Sequence, residues 1–126
     1  MISDKRILIV DDEPDFARFV LKVASDLGYD AVMTSSAGAF RSAYLATPPD
    51  VIVLDIVMPD QDGIELIEWL IGQGCSARIL IISGYNPAFA GAAKLVAEAK
   101  GKLEVRQLQK PIKLAELRTE LRDAAE

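Results

Sequence analysis

Histidine is absent from the 126-residue sequence, and Cys75 is its single cysteine. Without histidine, these residues cannot provide Ser-His or Cys-His catalysis, histidine metal ligands or a phosphohistidine. One cysteine cannot form an internal disulfide or a cysteine-rich zinc site. Any chemistry must come from other side chains, and Cys75, beside Gly74 in an expected helix-to-strand loop, is interpreted as an ordinary small residue.

Long apolar runs and an excess of positive charge are also missing. No run approaches the roughly 18 apolar residues that a membrane span needs, and the start, MISDKRILIV, lacks the layout of a signal peptide. The net charge of −5 disfavours direct binding to nucleic acid or to an anionic membrane surface. We therefore expect a cytoplasmic protein with neither of these partners.

Hydrophobic residues, 51% of the chain, follow an alternating pattern of strands and helices, and the length suits one domain, residues 1–126. Short apolar runs predict five strands, at residues 6–10, 30–34, 51–55, 77–83 and 104–108. Helical spacing predicts five helices, at residues 12–27, from 35 or 36 to before Pro48, and at 63–71, 86–100 and 113–124. The alternation is typical of an α/β fold in which helices cover both faces of a parallel sheet, with the polar fifth strand at an edge.

Polar residues collect where four of these strands end. Asp11 and Asp12 follow the first strand, Asp55 ends the third, Ser83 ends the fourth and Lys110 follows the fifth. Parallel strands end at one edge, and strands 1 and 3 are neighbours in the order 2-1-3-4-5, so these side chains are expected to meet in one crevice. Taken singly, Asp12 suits a helix cap and Ser83 a turn. The combination is what indicates a functional site.

The same combination suits phosphoryl transfer. Crowded carboxylates, water and a phosphate oxygen are the ligands that Mg²⁺ prefers. Asp55 is placed as the nucleophile, with Asp11 and Asp12 as carboxylates on the metal side, and a carboxylate nucleophile forms an aspartyl-phosphate. Ser83 and Lys110 are placed to donate to the phosphoryl oxygens.

Four segments, ILIVDDEPD, VLDIVMPDQDG, IISG and QKPI, occur in this order and resemble the receiver (CheY-like) domain of two-component response regulators. The resemblance implies a flavodoxin-like (βα)5 fold with a five-stranded parallel sheet in the order 2-1-3-4-5. It implies phosphorylation of Asp55 by a sensor histidine kinase or a histidine phosphotransfer protein. It also implies Mg²⁺, or Mn²⁺, held by Asp12, Asp55 and the main-chain carbonyl of Val57, with Asp11 acting through water.

The resemblance assigns two further residues and a signalling role. Lys110 would pair with Asp55 or its phosphate, and the peptide bond before Pro111 is expected to be cis. Phosphorylation would change the face formed by the fourth helix, the fifth strand and the fifth helix, and so control a downstream protein, an output domain or homodimerisation. The chain is not expected to be an enzyme beyond its own phosphorylation and a slow autodephosphorylation, since Val57 and Tyr85, which flank the attacking water in this family, are bulky.

The sequence departs from the family pattern around the expected switch. Ser83 stands in place of the usual threonine, and Gln107 stands where a switching tyrosine or phenylalanine is common. Tyr85 and Phe89 are candidate replacements for that ring. The segment from 83 to 110 is also expected to be a few residues longer than is typical, which extends the fourth helix or the loop after it.

Two other functions share features with this pattern. A phosphate-independent pseudo-receiver, a pure interaction module, stays open because of Gln107, although the intact acidic pair, Asp55, Ser83 and Lys110 argue against it. A dehalogenase-like phosphatase also uses an aspartyl-phosphate. It is rejected because Val57 stands where that class needs a second acid, and because the chain is too short for a cap domain.

Overall fold

The computed structural model describes residues 4–55, 63–84 and 103–126. The strands are β1 (Arg6–Val10), β2 (Asp30–Thr34), β3 (Val51–Asp55), β4 (Arg78–Ser83) and β5 (Val105–Gln109). The helices described are α1 (Pro14–Leu27), α2 (Ala37–Ala46), α3 (Gly63–Gly72) and a C-terminal helix (Leu114–Ala124). The predicted helix at 86–100 and the expected lengthening near it lie outside the described residues, as do Val57, Tyr85 and Phe89.

The five strands form one parallel sheet in the order β2-β1-β3-β4-β5, which confirms the predicted flavodoxin-like order with β5 at an edge. Val10, the last residue of β1, pairs in register with Leu54 of β3. Ser83, the last residue of β4, pairs with Gln109 of β5. The residues that follow these strands are therefore brought to the same edge of the sheet.

Two apolar layers cover the sheet, one on each face, because successive residues of a strand point to opposite sides. Leu8 and Val10 pack on the face covered by α2 and α3, with buried residues that include Phe40, Leu66, Ile67 and Leu70. Ile7 and Ile9 pack on the face covered by α1 and the C-terminal helix, with residues that include Val20, Val23, Leu117 and Leu121. All five residues of β3 are buried, as expected for a central strand covered on both faces.

Local sequence signals set the ends of the first two helices. Pro14 lies in the first turn of α1, where a missing N–H costs nothing, and Gly28 ends this helix in the left-handed conformation with a φ of 105°. Of the two candidate caps for α2, Ser36 is the one used, since its Oγ accepts a hydrogen bond from the Ala39 N–H. The bounds of β1, β2 and β3 are those predicted, and the other predicted ends differ from the observed ones by at most two residues. The first helix begins at Pro14 and not at residue 12, because Glu13, its N-cap, has an extended conformation. Within the described ranges, no helix combines the length and the apolar character that crossing a membrane requires.

A buried hydrogen bond joins the turn after α1 to the C-terminal helix. Tyr29 Oη donates to the main-chain carbonyl of Leu121 at 2.7 Å. Burial, with a smaller effect from Asp50, raises the pKa of Tyr29 to about 12, so the hydroxyl keeps its proton at neutral pH. The bond links two segments 92 residues apart and closes the apolar layer between α1 and the C-terminal helix.

Replacing Tyr29 with Phe should lower the free energy of unfolding by about 1 kcal/mol, because the Leu121 carbonyl loses its buried donor. Tyr44→Phe is a matched control, since the Tyr44 hydroxyl interacts with the Cys75 thiol, a weak hydrogen-bonding group. Urea denaturation of the unmodified protein and of both variants measures the loss of unfolding free energy that each substitution causes. Equal destabilisation by both changes would contradict the importance of the Tyr29 bond.

Candidate functional site

Three carboxylates meet at the carboxyl ends of β1 and β3. One oxygen atom from each of Asp11, Asp12 and Asp55 lies within 4.8 Å of the other two. Asp11 is 2% exposed, Asp55 is 5% exposed and Asp12 is half-buried. Negative charges this close and this poorly hydrated repel one another, so the cluster requires positive charge nearby.

The main chain fixes Asp11 within this cluster. Its Oδ1 accepts a hydrogen bond from the Glu13 N–H at 2.8 Å, and its own N–H donates to the Thr34 carbonyl at 3.1 Å. The N-cap residue of α1 is Glu13, whose side chain makes no capping bond. The structure therefore places Asp12 among the carboxylates and not at the helix cap, the position that it suited when considered alone.

Lys110 supplies a positive charge next to the carboxylates. Its Nζ lies 3.2 Å from Asp11 Oδ2 and 3.8 Å from Asp55 Oδ2. Burial by itself lowers the pKa of the ammonium, but the hydrogen bond to Glu13 and the charges of Asp11 and Asp55 outweigh it, so the pKa lies above its usual value. Lys110 is consequently a fixed cation at neutral pH.

Ser83 completes the group from the end of β4. Its carbonyl accepts a hydrogen bond from the Lys110 N–H at 2.8 Å, which joins the ends of β4 and β5, and the peptide bond between Lys110 and Pro111 is cis. Ser83 is 1% exposed, and its Oγ has no hydrogen-bond partner in the described part of the chain. Burying a hydroxyl without a hydrogen-bond partner lowers the stability of the fold by about 1–3 kcal/mol. A ligand that forms a hydrogen bond with this hydroxyl would explain why it is placed here.

Two residues that the sequence interpretation did not assign, Glu13 and Phe16, also contact Lys110. Glu13 Oε1 lies 2.7 Å from Lys110 Nζ, and this Nζ lies 4.4 Å from the centroid of the Phe16 ring. The acidic run that contains Glu13 is visible in the sequence. Nothing in that run indicates which acid reaches a lysine 97 residues away, so this contact became apparent from the tertiary structure alone.

The residues expected to form the switch are not all part of this cluster. Ser83 lies in it, as described above. Gln107 lies within β5, is exposed, and pairs in register with Ile81. Tyr85, the third expected switch residue, lies outside the described residues.

The donor set fits a divalent cation that prefers oxygen ligands. Asp11, Asp12 and Asp55 offer carboxylate oxygens close enough to share one ion. Mg²⁺ binds through one or two carboxylates plus water, and Mn²⁺ prefers the same ligands. The acidic cluster can therefore bind a divalent metal of this kind.

The family model of the response regulator receiver domain matches residues 7–122. The chain therefore belongs to the response regulator receiver family, whose members are signalling modules of two-component systems. This confirms the resemblance inferred from the four sequence segments.

Individual relatives show how much of a protein this domain represents. The response regulator receiver protein CpdR of Brucella abortus is 28% identical over 117 residues, which cover 93% of each chain. The transcriptional regulatory protein KdpE of Mycobacterium tuberculosis is 36% identical over 78 residues, 61% of this chain but 34% of KdpE. The crystal structure of a response regulator from Colwellia psychrerythraea has a TM-score of 0.81 at 30% identity and covers 96% of each chain. The domain thus spans nearly all of some relatives and about a third of others.

Adding Mg²⁺ should stabilise this domain, by about 1.4 kcal/mol at a free concentration ten times the dissociation constant, because the ion relieves repulsion in the folded state. Asp12→Asn should lose most of this gain, whereas without metal it should be at least as stable as the unmodified chain. Asp26→Asn is the control, since Asp26 pairs with Lys22 on the surface of α1. Thermal unfolding with and without Mg²⁺ measures both effects. An equal gain in all three proteins would contradict metal binding by the acidic cluster.

Proposed function

We propose that Asp55 accepts a phosphoryl group from a sensor histidine kinase or a histidine phosphotransfer protein, and that this phosphorylation controls the signalling output of the domain. The observation that carries the proposal is the meeting of three groups at one edge of the sheet: Asp55, the largely buried ammonium of Lys110, and the buried hydroxyl of Ser83, which has no partner among the described residues. Membership of the receiver family supports the same reaction.

In the proposed reaction, an oxygen of the Asp55 carboxylate forms a bond to phosphorus. The P–N bond of the donor phosphohistidine breaks, and its electron pair stays with the imidazole nitrogen, which takes up a proton. Asp55 ends a strand that is buried on both faces, so its carboxylate is held in position before the donor arrives. The Ser83 hydroxyl and the Lys110 ammonium would donate to oxygens of the transferred group and stabilise their charge.

Asp12 and Asp55 would hold Mg²⁺ or Mn²⁺ directly, with the main-chain carbonyl of Val57 as a further ligand and Asp11 acting through water. When bound, the metal neutralises the crowded carboxylates and orients the phosphoryl oxygens. Asp11 is also the nearer of the two buried acids to Lys110, at 3.2 Å against 3.8 Å for Asp55. It would therefore help to hold the ammonium near the acceptor.

The proposed output is a change on the side of the sheet that carries β5. Ser83 and Lys110 would both contact the phosphoryl group, and a main-chain hydrogen bond joins them at the ends of β4 and β5. A shift of either residue would therefore be passed to both strands, even though Gln107 provides no aromatic ring. The face formed by the predicted fourth helix, β5 and the C-terminal helix would then control a downstream protein, an output domain or homodimerisation.

The proposed function includes whether the domain acts alone, where it acts and how long it stays phosphorylated. CpdR is matched over almost its whole length and KdpE over a third, so both a stand-alone regulator and a receiver joined to an output domain fit. We propose that the protein acts in the cytoplasm without direct nucleic acid or membrane contacts of this domain, in keeping with its net charge of −5. Loss of the phosphoryl group is proposed to be slow, because Val57 and Tyr85 are bulky.

Incubating the purified protein with acetyl phosphate and Mg²⁺ should give a single phosphoryl adduct in the intact mass spectrum. The adduct should be absent from Asp55→Asn and from samples that contain EDTA, because both the acceptor and the metal are required. Asp50→Asn is a matched control, since Asp50 accepts a hydrogen bond from the Arg6 N–H, away from the cluster, and should leave the adduct unchanged. No adduct on the unmodified chain would sink the proposal and favour the pseudo-receiver.

Ser83→Ala should slow adduct formation roughly tenfold or more, because a donor to the developing charge on the phosphoryl oxygens is removed. Ser83→Thr retains the hydroxyl and should react much faster than the alanine variant. Initial rates with acetyl phosphate measure the difference, with circular dichroism to verify that each variant is folded. Alanine and serine proteins reacting at the same rate would show that the hydroxyl takes no part.

A further inference from the structure

We propose that Glu13 is a positioning residue that holds Lys110 in a resting position, and that phosphorylation of Asp55 moves the Lys110 ammonium from Glu13 to the phosphoryl group. The proposal rests on the phosphorylation of Asp55 proposed above. It adds that the start of α1 regulates how readily Lys110 becomes available to the phosphoryl group.

Three carboxylates lie at different distances from Lys110 Nζ, with Asp11 Oδ2 at 3.2 Å. Its Nζ lies 2.7 Å from Glu13 Oε1, within the range of a charge-assisted hydrogen bond. The distance to Asp55 Oδ2 is 3.8 Å, too long for a hydrogen bond. The lysine thus makes its shortest contact with Glu13 and lies beside the acceptor without being hydrogen-bonded to it.

Phe16 supports the same resting position. Glu13 is the N-cap residue of α1, and Phe16 lies three residues further on, in the first turn of the helix. Lys110 Nζ lies 4.4 Å from the centroid of the Phe16 ring, within the range of a cation–π contact. The carboxylate of the N-cap residue and a ring face from the first turn of α1 therefore both contact the ammonium.

The contact with Glu13 is weak enough to exchange. The Glu13 side chain is 62% exposed, so water screens its attraction to the lysine, whereas the Asp55 side chain is 7% exposed. Phosphorylation of Asp55 would raise the negative charge on the buried side of Lys110 from one, that of the carboxylate, to about two. The attraction of the ammonium to phosphorylated Asp55 would then exceed its attraction to Glu13. The strength of the Glu13 contact therefore sets the free energy that is lost when the ammonium moves.

Three substitutions separate the contact from the charge. Glu13→Gln removes the charge, and Glu13→Asp keeps the charge but retracts the carboxylate by one methylene from Nζ. Both should increase the initial rate of phosphorylation by acetyl phosphate and the affinity for beryllofluoride with Mg²⁺, by roughly two- to fivefold. Asp15→Asn is the matched control, because it removes a charge from the same turn while Asp15 pairs with Arg18 at 2.7 Å. It should leave both quantities unchanged.

A spectroscopic measurement reports on the lysine itself. In protein labelled with ¹³C at the lysine Cε, the Lys110 signal, assigned by its loss in Lys110→Arg, should move when beryllofluoride is added. Glu13→Gln should move this signal in the same direction before any beryllofluoride is present, and Asp15→Asn should not. A merely structural role of Glu13 would not produce this shift.

The outcomes distinguish the two proposals. An unmodified chain that is neither phosphorylated nor able to bind beryllofluoride overturns the proposed function, and the exchange with it. A chain that reacts normally but shows unchanged rates, affinities and Lys110 signal in both Glu13 variants overturns the role of Glu13 alone. If the rate of phosphorylation and the affinity for beryllofluoride increase in Glu13→Gln but not in Glu13→Asp, the role of Glu13 is also overturned. The charge of Glu13, and not its contact with Lys110, would then explain the effect.

Discussion

The parallel register of the central strands is the constraint on which the site depends. Val10 pairs with Leu54, so Asp11, just after β1, and Asp55, the last residue of β3, lie side by side at one edge of the sheet. A slip of one residue would turn every side chain of β3 to the opposite face and disrupt both apolar layers. Because all of β3 is buried, the packing of the core holds the position of Asp55.

This constraint forces charges of one sign together. In the described part of the chain, two carboxylates of the cluster, those of Asp11 and Asp55, lie next to the ammonium of Lys110. Burial raises the pKa of Asp11, while the Glu13 N–H and Lys110 oppose that rise. The cluster therefore attracts a further cation, while Lys110 and the Ser83 hydroxyl, which lacks a partner in the ranges that the structure describes, favour an anion beside it. A site that favours both is suited to binding a metal ion and a phosphoryl group next to each other.

Much of the fold was predictable because its signals are local. Continuous apolar runs located the strands, and helical spacing placed α1 at residues 12–27, within two residues of its observed start, since both patterns need no distant partner. Strand ends also predicted that Asp11, Asp55 and Lys110 would meet. Contacts such as that of Tyr29 with Leu121 were not predictable, because they depend on how two helices pack across 92 residues.

The order of elements, the edge at which polar residues collect and the chemical character of the site follow from short segments of the chain, because periodicity and strand ends are local properties. Tertiary structure decided which partners these residues have. It placed Asp12 with the carboxylates and not at a helix cap, and it brought Glu13 and Phe16 to Lys110. Such choices depend on the angle and depth at which α1 packs on the sheet, which is set by the summed burial of both core layers and not by any one segment.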